Sequence, residues 1–338
     1  MKPLLSFICL IIIQFSFAQT HSVPFGTIDW NARFIDSDNI DTLAQKLTRP
    51  YNSNLEKVRS IYSWITQHIK YNTGIYNSWK RNSRISYQPD YSDTASVWRT
   101  ANEMTAIRVL HRRIAVCDGY AKLFKTLCDY AGIRSEVITG YAKCYLERGD
   151  KFRTNHSWNA VQIDSTWRLL DVTWASGYIN YADEYVQHQD DSYFMTEPQQ
   201  FVRDHYPEDP RWTLMDQPPT LKEFDHTPFK CKSYIKYGIV SFSPSNGVIN
   251  AFVGDTVHLE LQVKDPERNK LISTDPFFDS TLMQQPAFAF LKPDQQFMNK
   301  AIYSYVVQSD SVQWLQVMYN EDVVMRYKLN ILRKESNR

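Results

Sequence analysis

Between Arg112 and Trp174 the hydrophobic period of the chain changes once, and that change limits the folds open to it. Through "CDGYAKLFKTLCDYAG" (117–132), Tyr120, Phe124, Leu127 and Ala131 share one helical face, and Gly132 supplies a stop. Period two follows. "SEVITGYA" (135–142) is rich in β-formers, and "HSWNAVQI" (156–163) and "WRLLDVTW" (167–174) flank the turn signal "DST". A helix followed by an antiparallel hairpin predicts an α+β region.

Helical patterns precede it. Residues 53–70 carry an apolar stripe through Leu55, Val58, Tyr62, Ile65 and Ile69, opened by the capping pair Ser53 and Glu56. A shorter helix is expected over about 101–111, with Thr100 and Glu103 as its capping pair. Residues 76–98 are polar and turn-rich and read as an irregular insertion. Beyond the hairpin come mixed loops and short helices, punctuated by Pro198, Pro207, Pro210, Pro218 and Pro219.

The last hundred residues change character. "TVHLELQV" (256–263) alternates strictly. "VVMRYKLNI" (323–331) places Val323, Met325, Tyr327, Leu329 and Ile331 on one face, after a turn at Asn320–Asp322. Strands at this spacing with no helical period between them predict a β-sandwich. Internal repeats and low-complexity tracts are absent from the sequence.

The first residues, "MKPLLSFICLIIIQFSFAQT", read as a signal peptide over 1–18: one early lysine, an apolar run from Leu4 to Phe17, and the small-x-small pair Ser16 and Ala18. The run is short for a bilayer, which asks for roughly 20 residues. A soluble product, secreted or periplasmic and without an integral membrane segment, is expected. The net charge of +1 gives no electrostatic footprint for nucleic acid or an anionic membrane. Aromatic content is 14%, with 21 Tyr and 9 Trp, which suits a well-packed exported protein and equally a groove for carbohydrate or peptide.

After the leader the cysteines are Cys117, Cys128, Cys144 and Cys231, too few for a disulfide scaffold, and Cys144–Cys231 is the one pair considered for a bridge. Cys117 sits where the central helix starts. There the free N–H groups and the helix dipole favour a thiolate. Such a nucleophile needs a base and a group that fixes the base's tautomer. With Asp164 and Ser165 as a two-residue loop, His156 falls opposite Thr173, and Asp171 lies on the same face two positions away. Diagonal neighbours of that kind are roughly 7–8 Å apart, within reach of imidazole and carboxylate. A three-residue loop would put them on opposite faces. The plainer reading makes Cys117 a small core hydrophobe and His156 a satisfied strand residue. Cys128, beside Leu127, reads as core. The eight histidines form no H-E-x-x-H spacing, and neither a calcium loop nor G-x-S-x-G occurs, so no metal or cofactor is expected.

"VCDGYAKLFKTLCDYAGI" followed by "NHSWNAVQIDSTWRLLDVTW" resembles the transglutaminase-like superfamily. "VRSIYSWITQHIKYN" is similar to that family's opening helix, and 192–229 to the stretch after the core in its kyphoscoliosis-peptidase branch. The resemblance covers about residues 50–230. It implies a papain-like core with a central helix on an antiparallel sheet, Cys117 as nucleophile, His156 as general base and acid, and Asp171 as the residue orienting it. The Cys117 N–H would be one oxyanion donor, and Trp174 would border the substrate. The reading is then a thiol domain at 19–232 and an Ig-like β-sandwich at 233–338. Its activity would be acyl transfer from protein or peptide amides, with hydrolysis preferred. Two alternatives stay open: a cross-linker using amines, and a binding or scaffold protein that keeps the fold without turnover.

Overall fold

The computed structural model describes residues 22–74, 99–143, 154–179, 184–271 and 286–332. The leader, the whole 76–98 insertion, and Cys144 lie outside these. Helices α1 (Phe25–Ala32), α2 (Ile40–Thr48) and α3 (Asn54–His68) come first. The capping box expected for α3 forms: Ser53 accepts from the Glu56 N–H while the Glu56 side chain accepts from the Ser53 N–H. α4 (Ala101–Arg112) starts on Thr100, whose hydroxyl accepts from the Glu103 N–H. α5 (Cys117–Tyr130) then runs to a left-handed Gly132, φ 71°.

The sheet beside α5 holds β1 (Ser135–Ala142), β2 (His156–Ile163), β3 (Thr166–Leu170) and β4 (His205–Pro207), antiparallel throughout in the order β3-β2-β1-β4. The hairpin turn has two residues, since Ile163 pairs with Thr166 and both Asp164 and Ser165 have positive φ. That combination matches the twist of the flanking strands. One core joins helices and sheet: Tyr62, Trp64, Tyr120, Phe124, Leu127, Trp158, Val161 and Leu170 are fully buried in it. The buried Asn159 amide ties α5 to the sheet by donating to the carbonyls of Ala121 and Glu136.

The expected strand over 167–174 is cut short. β3 ends at Leu170, and α6 (Val172–Ser176) begins with Asp171 as its N-cap. The Asp171 carboxylate takes the free N–H groups of Thr173 and Trp174, which ends the strand and opens a helical turn.

The C-terminal strands form two packed sheets. One holds β5 (Ile239–Ser243), β7 (Thr256–Val263), β9 (Gln295–Gln296) and β10 (Lys300–Val306), in the order β5-β7-β10-β9. The other holds β6 (Val248–Ala251), β8 (Phe288–Leu291), β11 (Trp314–Tyr319) and β12 (Asp322–Ile331), in the order β6-β12-β11-β8. Val257, Leu259, Leu261 and Val263 of β7 face a second core shared with Leu315, Val317, Tyr327 and Leu329. The alternation expected for β12 holds from Met325 onward and fails at Val323, because a bulge opposite Val317 and Met318 buries Val324 instead.

Candidate active site

α5 starts on Val116, which has no side chain able to cap it. The Val116 carbonyl takes the N–H groups of Gly119 and Tyr120, and the N–H groups of Cys117 and Asp118 precede them at the helix mouth. Gly119 lets this end sit close: a Cβ there would lie 2.8 Å from Ala115 Cβ and 2.9 Å from Val109 Cγ2. Cys117 is thereby held at the N-terminus of a helix, and it is 7% exposed.

His156 opens β2, and Asp171 follows the end of β3. His156 Nε2 lies 2.7 Å from Asp171 Oδ2. The Cys117 thiol lies near enough to the same imidazole to act on its charge. With Nε2 taken by Asp171, Nδ1 is the nitrogen left to exchange a proton with sulfur. The structure therefore brings Cys117, His156 and Asp171 together in that order. The neighbourhood differs from the expected strand pair, because Asp171 reaches His156 from a helix cap.

Burial works against a charged imidazole at this position, but the Asp171 carboxylate and then Cys117 outweigh it and hold His156 up at about 10. Burial likewise works against the Asp171 charge. His156 and then His205 outweigh it and keep the carboxyl well below the ordinary range.

His205, at the start of β4, is the residue that the sequence reading missed. Its Nε2 lies 3.0 Å from Asp171 Oδ2, and its Nδ1 lies 2.7 Å from Asp204 Oδ1. The register explains the meeting. β1 pairs Gly140 with His156 on one side and Ala142 with His205 on the other, and residues two apart on a strand share a face. Gly140 makes room, since a Cβ there would clash with the Tyr206 carbonyl and stand 2.5 Å from the Trp158 ring. The signal available in the sequence was "RDHYP", a histidine between an acid and a strand-ending proline, lying 34 residues beyond Asp171.

Trp174 is half-buried, with its ring 5.3 Å from His156 and 4.5 Å from His205. Trp158 is fully buried against both imidazoles, and Trp167 stacks edge-on to Trp212 away from them. Cys128 is fully buried and its thiol is pushed far up by that burial, the behaviour of a core residue. Cys231 is a free thiol, also pushed up by burial.

His156, Asp171 and His205 each offer a ligand atom within 4.8 Å of the others. Direct hydrogen bonds at 2.7 and 3.0 Å already account for that spacing, and an ion among the three would have to break both. Among the described residues, no helix is long and apolar enough to cross a membrane.

A thiol at a helix start, an imidazole beside it and a carboxylate behind the imidazole define a papain-like thiol site on an α+β scaffold. Residues 41–172 match the model of the transglutaminase-like superfamily. Kyphoscoliosis peptidase of Homo sapiens is 28% identical over 226 residues, covering 65% of this chain and 31% of that protein. Hillarin of Drosophila melanogaster is 28% identical over 265 residues, covering 73% of this chain and 30% of its own length. A crystal structure of a TGase aligns over 52% of this chain and 38% of its own, with 15% identity and a TM-score of 0.28. Residues 41–172 thus form a transglutaminase-like domain, and the chain around them is similar to the kyphoscoliosis peptidases. It spans about three tenths of the length of the curated relatives named here.

Proposed function

We propose that this protein is an exported cysteine enzyme that acts on protein or peptide amides through a thioester at Cys117. The observation that carries the reading is one imidazole, His156, bonded to Asp171 at 2.7 Å and under the electrostatic influence of Cys117 at the start of α5. Cys117 Sγ, its proton already carried by His156, attacks the amide carbonyl. The C–N bond breaks, and His156 passes that proton to the leaving amine. Water then attacks the thioester, His156 accepts its proton, and the thiol is restored with release of the acid. An amine in place of water would give a new amide from the same thioester. Hydrolysis is preferred because the relative that supports this reading is named a peptidase. Trp174, against the His156 ring, is assigned to the wall beside the acyl group. Export rests on the leader-like residues 1–18.

A second reading, a binding protein with a silent site, is favoured by one observation: Cys117 is nearly enclosed, at 7% exposure. Alkylation separates the two. The folded protein is treated briefly with iodoacetamide near pH 7, and the adduct is located by mass spectrometry. We expect Cys117 to be modified first and the reaction to vanish in Cys117→Ala. Modification of Cys128 or Cys231 with Cys117 untouched would overturn the assignment.

A further inference from the structure

We infer that His205 is a positioning residue of the thiol site, holding the Asp171 carboxylate in place for His156 from a separate, largely buried chain of hydrogen bonds. The inference rests on the reading of Cys117, His156 and Asp171 as the reacting set.

The same oxygen, Asp171 Oδ2, accepts from His156 Nε2 at 2.7 Å and from His205 Nε2 at 3.0 Å. The other oxygen is taken by the N–H groups of Thr173 and Trp174 at 2.8 and 3.1 Å. The His205 bond therefore decides whether Oδ2 is pinned by the protein or held only by the base it is meant to orient. His205 is in turn fixed at Nδ1 by Asp204 Oδ1, and Asp204 Oδ2 is gripped by Arg203 Nη2 at 2.6 Å and Nε at 3.0 Å. Ionised carboxylates only accept, so a ring with one at each nitrogen donates at both.

The packing around this ring has the same sense. Phe201, Trp174, Trp158 and Tyr193 place their ring centres 4.4, 4.5, 5.1 and 5.9 Å from that of His205. These aromatic rings fix the position of the histidine and exclude water from it. Burial also separates the roles. His205 is 1% exposed and touches neither sulfur nor any open face, whereas His156, at 8%, faces the thiol. One histidine can exchange protons with a substrate, and the other can only hold the carboxylate between them. In Cys-His-Asp chemistry the carboxylate fixes the imidazole's tautomer and direction. A carboxylate fixed from behind before substrate arrives needs no reorganisation during the reaction.

The test compares wild type with His205→Phe, which keeps a ring in the aromatic cage and removes both donors. Two quantities are read at a temperature where both proteins are folded. One is the rate of Cys117 alkylation by iodoacetamide. The other is the downfield imidazole N–H signal of His156 in protein labelled with 15N-histidine, identified by its absence in His156→Gln. Loss of one hydrogen bond to a charged group predicts alkylation about 10- to 100-fold slower. The His156 signal should move upfield or broaden away as the ring loses its fixed partner. A folded His205→Phe protein with a lower melting temperature, but with alkylation and the His156 signal unchanged, would show a purely structural residue and overturn the inference. If His205→Phe does not fold, Asp204→Asn replaces it. It keeps an acceptor for Nδ1 but removes the charge, and about 3- to 10-fold slower alkylation with a shifted His156 signal is expected. An unchanged signal there overturns the inference as well. A wild-type Cys117 that resists alkylation would defeat the proposed function, while the His156 signal would still decide whether His205 holds Asp171.

Discussion

Four donors converge on the Asp171 carboxylate, which is wholly buried: two backbone N–H groups and two imidazoles. A carboxylate in such a setting loses more by protonation than by remaining charged, and this fixes how the site responds to pH. His156 is raised in the folded state, so its contribution to stability is complete below its ordinary 6.5 and is lost as the pH rises through about 10. Asp171 is lowered, so its contribution is complete above its ordinary 3.8 and is lost as the pH falls below that. The stability due to this pair should therefore be greatest between about pH 4 and 6.5 and decline on both sides. Melting temperatures of wild type and His156→Gln, measured from pH 3 to pH 10, test it. The gap between them should be widest inside that window, and a gap that grows steadily toward pH 10 would contradict the pairing. Cys117, His156 and Asp171 could be read from the sequence because a helix start and a short hairpin place them locally. His205 could not, because its place depends on how β4 comes back to β1, 34 residues after Asp171 in the chain.

At the scale of elements, α5 and the strands β1 and β2 match the bounds the sequence predicts, α5 burying one face and β2 being buried on both. The strand reading of 167–174 went too far for a local reason. "LLDVTW" is rich in β-formers, yet an aspartate followed by two free N–H groups makes a helix cap, and the cap outweighs the propensity. The misplaced boundary lies at Asp171 itself. Gly140 carries the other element-level decision. β4 approaches β1 so closely at Gly140 that a side chain there meets the Tyr206 backbone and the Trp158 ring, neither of which can move without disturbing the sheet. Gly140→Val should cost about 1–3 kcal/mol by overpacking. It should also loosen the His205–Asp171 bond, because His205 begins the displaced strand. Denaturant unfolding would give the first effect, and slower Cys117 alkylation in the folded variant would give the second. A variant as stable as wild type would mean that β4 is free to shift.

Across the whole molecule the described residues have two hydrophobic cores, one drawn from Ala32 through Phe201 and one from Tyr237 through Leu329. The sequence reading sets the boundary at 232, where helical periods give way to alternation. Contacts beside that point argue for an earlier one. Phe224 stacks on Tyr206 and the Thr227 carbonyl accepts from Lys143 Nζ, so the thiol-bearing part grips the chain up to Thr227, where the Gly247 N–H also donates to the His226 carbonyl. From Phe229 on it is held by β12: Phe229 and Lys230 pair with Arg326 and Met325, and the Cys231 N–H donates to the Val324 carbonyl. We therefore propose that the second folding unit begins at Pro228, since a fragment starting at 235 would strip one strand from the edge of its sheet. Units of about a hundred residues with their own core normally fold alone. Residues 228–338 expressed separately should show β-type circular dichroism and a cooperative melt, and a fragment starting at 235 should melt lower. Residues 19–227 should retain alkylation of Cys117, because every partner of His156, Asp171 and His205 described above lies within them. An unfolded 228–338 fragment, with the full chain melting in a single transition, would mean that the two cores form one cooperative unit and that the sandwich is part of what holds the thiol site together.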